Sequence, residues 1–335
     1  MLCTENNICE LAVIIVNYKT PQLVLDCVGK LLPEINSLSA KIVLVDNCSN
    51  DDSIKLIEKW IAEKSNTSQI IFIKNENNIG FSGGNNTGIN AIKANYYLLL
   101  NSDAFVTQGA VSALLDMAKK NQKVGLVGPQ LVNENGKKQT SCFHFHSPIG
   151  EFVQSANTGL ITSLFSKYNV AILHRVEEPE WISFACVLIR NDVFRQVGLL
   201  DDRFFMYFED AEFCFRAKKS GWKCVFCSDA IVVHLHGISS KLAEKIDTKK
   251  RLPRYYYESR ARYYYLIYGF HGLFFANILW ELGRLISIIR QFFGRKDKAV
   301  VERKWKDIWI NSLKPLKAYT HPDQKKPNLT DEYPK

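Results

Sequence analysis

The sequence has no G-x-G-x-x-G turn after its first apolar run and no Walker A loop, which sets nicotinamide and P-loop chemistry aside. It has no internal repeat. The N-terminus, MLCTENNICELAVIIVNY, lacks a basic n-region and its apolar run is short, so neither a signal peptide nor a membrane span is expected there. Cys224-Val-Phe-Cys227 has C-x-x-C spacing, but no second pair lies at zinc-finger distance. It reads as half of a strand. The nine cysteines are scattered, several inside apolar runs, where free thiols act as small hydrophobes and a reducing cytoplasm suits them.

What is present is a chain of 335 residues, long enough for a full core, with the apolar content (47%) of a folded globular protein. Its net charge of +9 is uneven. Residues 241–335 carry 21 Lys+Arg against 10 Asp+Glu, which leaves the first 240 residues at −2. The basic character therefore belongs to the C-terminal third.

Up to about residue 130, short β-branched runs alternate with amphipathic stretches. LAVIIVNY (11–18), KIVLVDN (41–47), IIFIKN (70–75), YYLLL (96–100) and VGLVGP (124–129) read as strands. Helices are expected from Pro21 to about Leu32, over 49–64, from about Ser82 to Ala94 and over roughly 107–120. Continuous apolar strands separated by helices predict an α/β fold whose mainly parallel sheet is covered on both faces. Ligands of such sheets bind beyond the carboxyl ends of the strands, where Asn17, Asp46, Asn75, Asn101 and Asp103 fall. The stretch 130–200 is less regular, with a strand feeding a helix over 181–198. An aromatic loop, a helix from about Asp210 to Ser220 and a last strand follow.

Several residues invite both a chemical and a structural reading. The glycines of GFSGGNNTG (80–88), Gly80 and Gly83 among them, permit close backbone approach to a ligand or a flexible helix start. Asp46 either folds an Asx turn or accepts from a nucleobase or ribose. Asp103 either caps the next helix or holds a hard divalent cation; Mg²⁺ needs only one or two carboxylates. Glu209 and Asp210 begin a helix, where the dipole favours acids. Yet four aromatics precede them in FFMYF, and a partly desolvated carboxylate makes a usable general base. Glu212 and Arg216 are spaced as a surface pair. His234 and His236 alternate on the last strand and share a face, as structural residues or as ligands.

In order, VIIVNYKT, IVLVDNCSNDDS, NIGFSGGNNTGI, YYLLLNSDAFV, FFMYFEDAEFCFRAKKSGW and AIVVHLHGIS resemble the family 2 glycosyltransferases of GT-A fold. The likeness is to the bacterial rhamnosyltransferase-like branch that builds cell-surface polysaccharide, and it spans about 11–240. It implies a Rossmann-like GT-A catalytic domain over 1–240, with a nucleotide-sugar half (1–130) and an acceptor half (131–240). A helical basic extension, 241–335, follows, frayed after about 320. The resemblance implies that Asp46 contacts the nucleobase, with Asn17 and Tyr18 shaping that pocket and Gly80 and Gly83 on the donor side. Asp103 would be the metal-binding end of a D-x-D-like motif that opens at Asn101, where many relatives have Asp. His234 would complete the shell of a divalent cation, Mg or Mn. Asp210, beside Glu209, would be the catalytic base of an inverting transfer. Trp181 and Phe184 fall on the acceptor side, Phe184 where relatives usually have Gly. The branch suggests dTDP-L-rhamnose as donor and a lipid-linked or growing cell-surface saccharide as acceptor. Nucleic acid is not an expected partner; a homo-oligomer is open.

YYYLIYGFHGLFFANILW (263–280) is 18 residues without Asp, Glu, Lys or Arg, at the lower edge of a membrane span. Flanking Arg254, Arg260, Arg262, Arg284 and Arg290 suit an interfacial helix on the anionic inner face of a cell membrane. A hairpin packed on the catalytic domain or a second subunit, or a true span, is the alternative. Two other classes compete for the function. A nucleotide-sugar pyrophosphorylase or other nucleotidyltransferase needs a basic Gly-rich loop after the first strand, and NYKTPQ is not that. A non-catalytic binding subunit sits poorly with intact Asp46, Asp103, Asp210 and His234.

Overall fold

The computed structural model describes residues 8–64, 67–172, 176–235, 245, 248–294 and 301–322; His236 and Gly237 lie outside them. The first half runs β1 (Cys9–Asn17), α1 (Pro21–Ile35), β2 (Ala40–Asp46), α2 (Ser53–Glu63), β3 (Ile70–Lys74), α3 (Gly80–Asn90), β4 (Ala94–Leu100), β5 (Ala104–Val106), α4 (Ala110–Lys120) and β6 (Val124–Val132). Next come β7 (Cys142–Phe143), α5 (Pro148–Ala156), α6 (Gly159–Leu164), β8 (Trp181–Ile182), β9 (Cys186–Arg190), α7 (Asn191–Val197), α8 (Glu209–Lys219) and β10 (Lys223–His234). Two further helices are α9 (Arg254–Phe292) and α10 (Lys304–Asp307).

Eight strands form one sheet in the order β3-β2-β1-β4-β9-β6-β10-β5. Six run parallel; β9 is antiparallel to β4 and β6, and β5 to β10. The apolar runs are continuous because both faces are covered. Leu11, Val13 and Ile15 of β1 point into one core with α1 and α4, while Ala12 and Ile14 point into a second core with α7 and α8. Strands β2, β4 and β9 alternate in the same way.

Helices α5 and α6 were not expected from the sequence, although their caps are written in it. Ser147 accepts from Gly150 N–H with Pro148 at the first helical position, and Thr158 accepts from Ile161 N–H. The α3 glycines serve packing rather than looseness. A Cβ on Gly88 would lie 2.4 Å from Ile14, and one on Gly84 2.9 Å from Val16, so the helix sits directly on β1.

Helix α9 departs most from expectation. Gly269 (φ 69°, ψ −170°) breaks it into two segments. In the first, Tyr257 through Tyr264 are buried, and Ala261, Tyr263 and Tyr264 belong to the second core of the sheet. Arg260 and Arg262 are therefore not membrane-facing cations. Arg260 pairs with buried Glu151 on α5 at 3.0 Å and donates to Asn277 at 2.7 Å, and Arg262 donates to the carbonyls of Arg203 and Lys317. Arg254 pairs with Glu258 at 2.7 Å. The second segment buries Leu273, Ala276, Asn277, Trp280, Gly283 and Ser287; Gly283 meets Phe152 and Ser155 of α5. Its other side is apolar and bare, with Phe270, Phe274, Phe275, Leu282, Leu285 and Ile289 exposed. α9 is the one described helix long and apolar enough to cross a membrane, by length and composition.

The Glu151–Arg260 pair, joined by the Tyr264 hydroxyl at 2.9 Å, ties α9 to α5. Removing one partner strands a buried charge, so Arg260→Met should lower unfolding free energy by about 3–5 kcal/mol in urea titrations. The Glu151→Met/Arg260→Met double variant should recover most of that loss. A mild single variant would mean that the pair does not hold the helix.

Candidate active site

The C-terminal ends of β1, β2 and β4 meet at a hydrogen-bonded knot. Asn17 Nδ2 donates to Asp46 Oδ1 at 2.7 Å and to Ser49 Oγ at 3.0 Å. Ser49 donates from its N–H to Asp46 Oδ2 (3.0 Å) and from its hydroxyl to Oδ1 (2.6 Å). Asp46 is wholly buried. The turn reading of Asp46 is thus realised, and Oδ2, with one donor, has capacity for another. Thr20 carries the knot to the third strand end through Ser102, hydroxyl to hydroxyl at 3.2 Å. Tyr18 lies beside it, with the Lys19 ammonium 4.9 Å from its ring centre.

Asparagines build the adjoining loop. Asn47 Nδ2 donates to Asn78 Oδ1 and the Gly80 carbonyl, and Asn47 Oδ1 accepts from Asn75. Gly80, at φ +75°, could carry no side chain, because a Cβ would stand 2.2 Å from the Phe205 carbonyl. Phe81 N–H donates to that carbonyl at 2.7 Å. The 78–81 loop is thereby fixed to the aromatic segment ahead of Glu209 and Asp210. Gly83, in contrast, packs against Ile79.

Asp103, also wholly buried, follows Asn101 at the end of β4. The β5–β10 ladder brings His234 beside it, with Nε2 3.7 Å from Asp103 Oδ1. That separation is too long for a hydrogen bond. It suits two ligands each about 2.0–2.2 Å from a shared cation. Gln139 supports the histidine: its Nε2 donates to the His234 carbonyl at 2.9 Å, which turns Oε1 toward Nδ1 at 3.2 Å. With Nδ1 as the donor to Gln139, Nε2 would be left to offer a lone pair to a cation shared with Asp103. No sequence spacing announces Gln139, which lies 95 residues away. Among the described residues no three His, Cys, Asp or Glu gather as a closed metal site. A carboxylate and one imidazole fit a cation whose other positions go to phosphate and water.

Glu209 and Asp210 open α8, after Tyr207 and Phe208 at φ 72° and 69°. Bulky residues in that region are strained and persist only where packing over-determines them. Here Phe208 is buried against His146, Tyr256 and Tyr263. Burial pushes the Asp210 carboxyl up to about 6, although the amides of Ala211 and Phe184 hydrogen-bond it and oppose the rise. Glu209 is pushed well above the usual carboxylate range by burial and by the charge of Asp210. For both acids, desolvation outweighs the helix dipole. Asn101 N–H donates to the Ala185 carbonyl at 2.9 Å, so the Asp103 segment and the Phe184 amide beside Asp210 are neighbours.

Both residues expected on the acceptor side are buried, and one expectation, the surface pair, needs correction. Phe184 turns its ring into the core against Phe213 and offers Asp210 only its amide. Trp181 is buried too, stacked on Phe143 at 4.1 Å with its indole N–H on the His144 carbonyl. Glu212 and Arg216 form no surface pair: Glu212 is 5% exposed, and the guanidinium also reaches the Val197 and Leu199 carbonyls, locking α8 to the end of α7. His146 was overlooked in the sequence. It sits between Trp181 and Phe208, and burial lowers it to about 4, so it is neutral.

Residues 12–177 match the family described as Glycosyl transferase family 2. The chain is 26% identical over 244 residues to the low-salt glycan biosynthesis hexosyltransferase Agl10 of Haloferax volcanii, covering 69% of this chain and 72% of that protein. It is 28% identical over 146 residues to the N-acetylglucosaminyl-diphospho-decaprenol L-rhamnosyltransferase of Mycobacterium tuberculosis, covering 42% of this chain and 46% of the relative. Among solved structures, GalNAc-T7 with UDP, GalNAc and Mn²⁺ superposes over 93% of this chain and 59% of its own, at TM-score 0.57 and 15% identity. The mannosyltransferase PcManGT of Pyrobaculum calidifontis, with GDP-Man and Mn²⁺, does so over 92% and 86%, at 0.53 and 12%. The chain carries a glycosyl transferase family 2 domain on a GT-A fold and is a glycosyltransferase.

Proposed function

We propose that the chain is an inverting transferase that moves a sugar, L-rhamnose from dTDP-L-rhamnose in the first instance, to a hydroxyl of a lipid-linked or growing cell-surface saccharide. The observation that carries this reading is Asp210, a half-buried carboxyl raised to about 6 at the same sheet edge as Asp46 and Asp103. Asn17, Tyr18, Asp46 and the loop at Gly80 form the nucleotide side. Asp103 and His234 would hold Mg²⁺ or Mn²⁺, which supplies positive charge to the leaving diphosphate. Asp210, ionised above its pKa, accepts the proton of the acceptor hydroxyl. That oxygen bonds to the anomeric carbon on the face opposite the diphosphate, and the C–O bond to the diphosphate breaks with its electron pair. No protein nucleophile is needed. The rhamnosyl choice and the lipid-linked acceptor take support from the mycobacterial relative, an N-acetylglucosaminyl-diphospho-decaprenol L-rhamnosyltransferase. Nothing observed favours pyrophosphorylase chemistry.

The bare apolar side of α9 supports peripheral attachment to the anionic inner face of a cell membrane. A helix with one face buried in protein and an opposite face that is apolar and bare has a second face suited to lipid. Phe292 and Phe293 are 85% and 83% exposed, and Trp305, Trp309 and Leu313 add to the same extension. Between 281 and 317 there are ten Lys+Arg against four Asp+Glu, a complement to anionic lipid. The surface expected over 263–280 thus shifts to 266–293 and the segment beyond α10.

Three measurements follow from these readings. A panel of nucleotide-sugars with Mg²⁺ or Mn²⁺ should yield nucleoside diphosphate from one donor, and Asp103→Ala and His234→Ala should each weaken donor binding in a metal-dependent way. Full turnover in excess EDTA would remove the cation.

Asp210 must be ionised to act, so kcat/KM should fall below pH about 6. Asp210→Asn should lose at least ~10²-fold in turnover while still binding donor. A raised carboxyl contributes stability that is present below its unfolded pKa and is lost as pH rises through about 6. The Asn variant should therefore be no less stable than the parent at neutral pH. A severe Glu209→Gln with a mild Asp210→Asn would transfer the base role to Glu209.

The full chain should sediment with vesicles containing phosphatidylserine, less so at high salt, and Phe292→Asp/Phe293→Asp should release it. A dimer in sedimentation velocity with no vesicle binding would assign the face to a second copy instead.

A further inference from the structure

The segment after α10 returns across the molecule and reaches the donor-side loop at His321. Arg262 Nη2 donates to the Lys317 carbonyl at 2.6 Å. Thr320 donates to the Glu258 carboxylate from both its N–H (2.8 Å) and its hydroxyl (2.9 Å). The Tyr319 ring lies 5.1 Å from Phe205, and the His321 ring meets the same phenyl edge-on at 5.7 Å. His321 Nε2 stands 2.6 Å from the Asn78 carbonyl and must be the donor there, because a carbonyl only accepts.

Both partners of the segment belong to the site. Asn78 is buried, and its side chain accepts from Asn47, next to Asp46, and from Gly80 N–H. Phe205 gives its carbonyl to Phe81 and leads through strained Tyr207 and Phe208 to Asp210. One short stretch of chain therefore touches the nucleotide-side loop and the segment that carries the acids. Nothing in folding the sheet requires this, since both cores close without residues 316–321.

We propose that Tyr319 and His321 are positioning residues, forming a strap that holds the Asn78–Gly80 loop against Phe205 in its donor-binding arrangement. The proposal rests on the reading of the Asp46 edge as the nucleotide site. A terminal segment held by a few polar contacts lies at the low-stability end of a structure, where ligand binding and ordering can be linked. If the strap orders the loop for the donor, the donor must order the strap by the same factor.

The test uses the full chain with Mn²⁺ and whichever of dTDP, UDP and GDP it binds in calorimetry. His321→Ala and Tyr319→Ala should each raise the nucleotide Kd by roughly 5- to 10-fold, and His321→Gln, whose amide can donate to Asn78, should recover most of it. The nucleotide should in turn slow tryptic cleavage after Lys317 by a similar factor, with the unfolding midpoint of each variant close to that of the parent. An unchanged Kd in both alanine variants, or equal cleavage with and without nucleotide, overturns the strap. Asp103→Ala separates the two levels. If it loses Mn²⁺-dependent nucleotide binding while the strap variants do not, only the strap falls. If the parent binds none of the three nucleotides, the nucleotide reading falls with it.

Discussion

A single backbone hydrogen bond, from Phe81 N–H to the Phe205 carbonyl at 2.7 Å, joins the loop after β3 to the segment that delivers Glu209 and Asp210. Much of the site depends on it. The contact needs a residue without Cβ at position 80, and it holds the 203–208 segment where two aromatic residues take left-handed backbone angles. It links residues more than a hundred positions apart, one in the loop after β3 and one beside the acids. Disturbing the 78–81 loop would therefore reach the start of α8 as well as the Asn47–Asp46 strand end.

The parallel half of the fold was legible because its physics is local. Runs such as LAVIIVN are apolar at every position only when both faces are covered, and the helices between them carry ordinary start signals such as Pro21. Of the two antiparallel strands, β9 was read as a strand without its direction, and β5 escaped the reading. The direction of β9 depends on which neighbours it slips between, and β5 is three residues whose only signal is its pairing with β10. The site was legible in the same uneven way. Carboxylates at strand ends are visible in a sequence. Gln139 behind His234 and His146 behind Phe208 are tertiary neighbours with no sequence spacing to announce them.

The C-terminal third shows why composition alone misplaced a surface. Arginines around an apolar run look like lipid-facing cations, yet Arg260 and Arg262 are among the largest fully buried side chains of the protein. Long guanidinium groups can enter a core when a carboxylate or carbonyls complete their donors, as Glu151 and the Arg203 carbonyl do here. The bare apolar side lies mostly beyond the Gly269 break, where α9 sends Leu273 and Ala276 into the second core and packs Gly283 on α5 and Trp280 on Ile308. One helix thus joins the acid-bearing segment, through Ser259 on the Met206 carbonyl, to the exposed apolar surface.

The central claim is a single displacement in which Asp210 removes the acceptor proton. The most direct measurement is the anomeric configuration of the transferred sugar, read by proton NMR on the first product formed from a donor of known configuration. Inversion is the predicted result. Retention would require a second displacement, by a protein nucleophile or its equivalent, and would contradict the role assigned to Asp210.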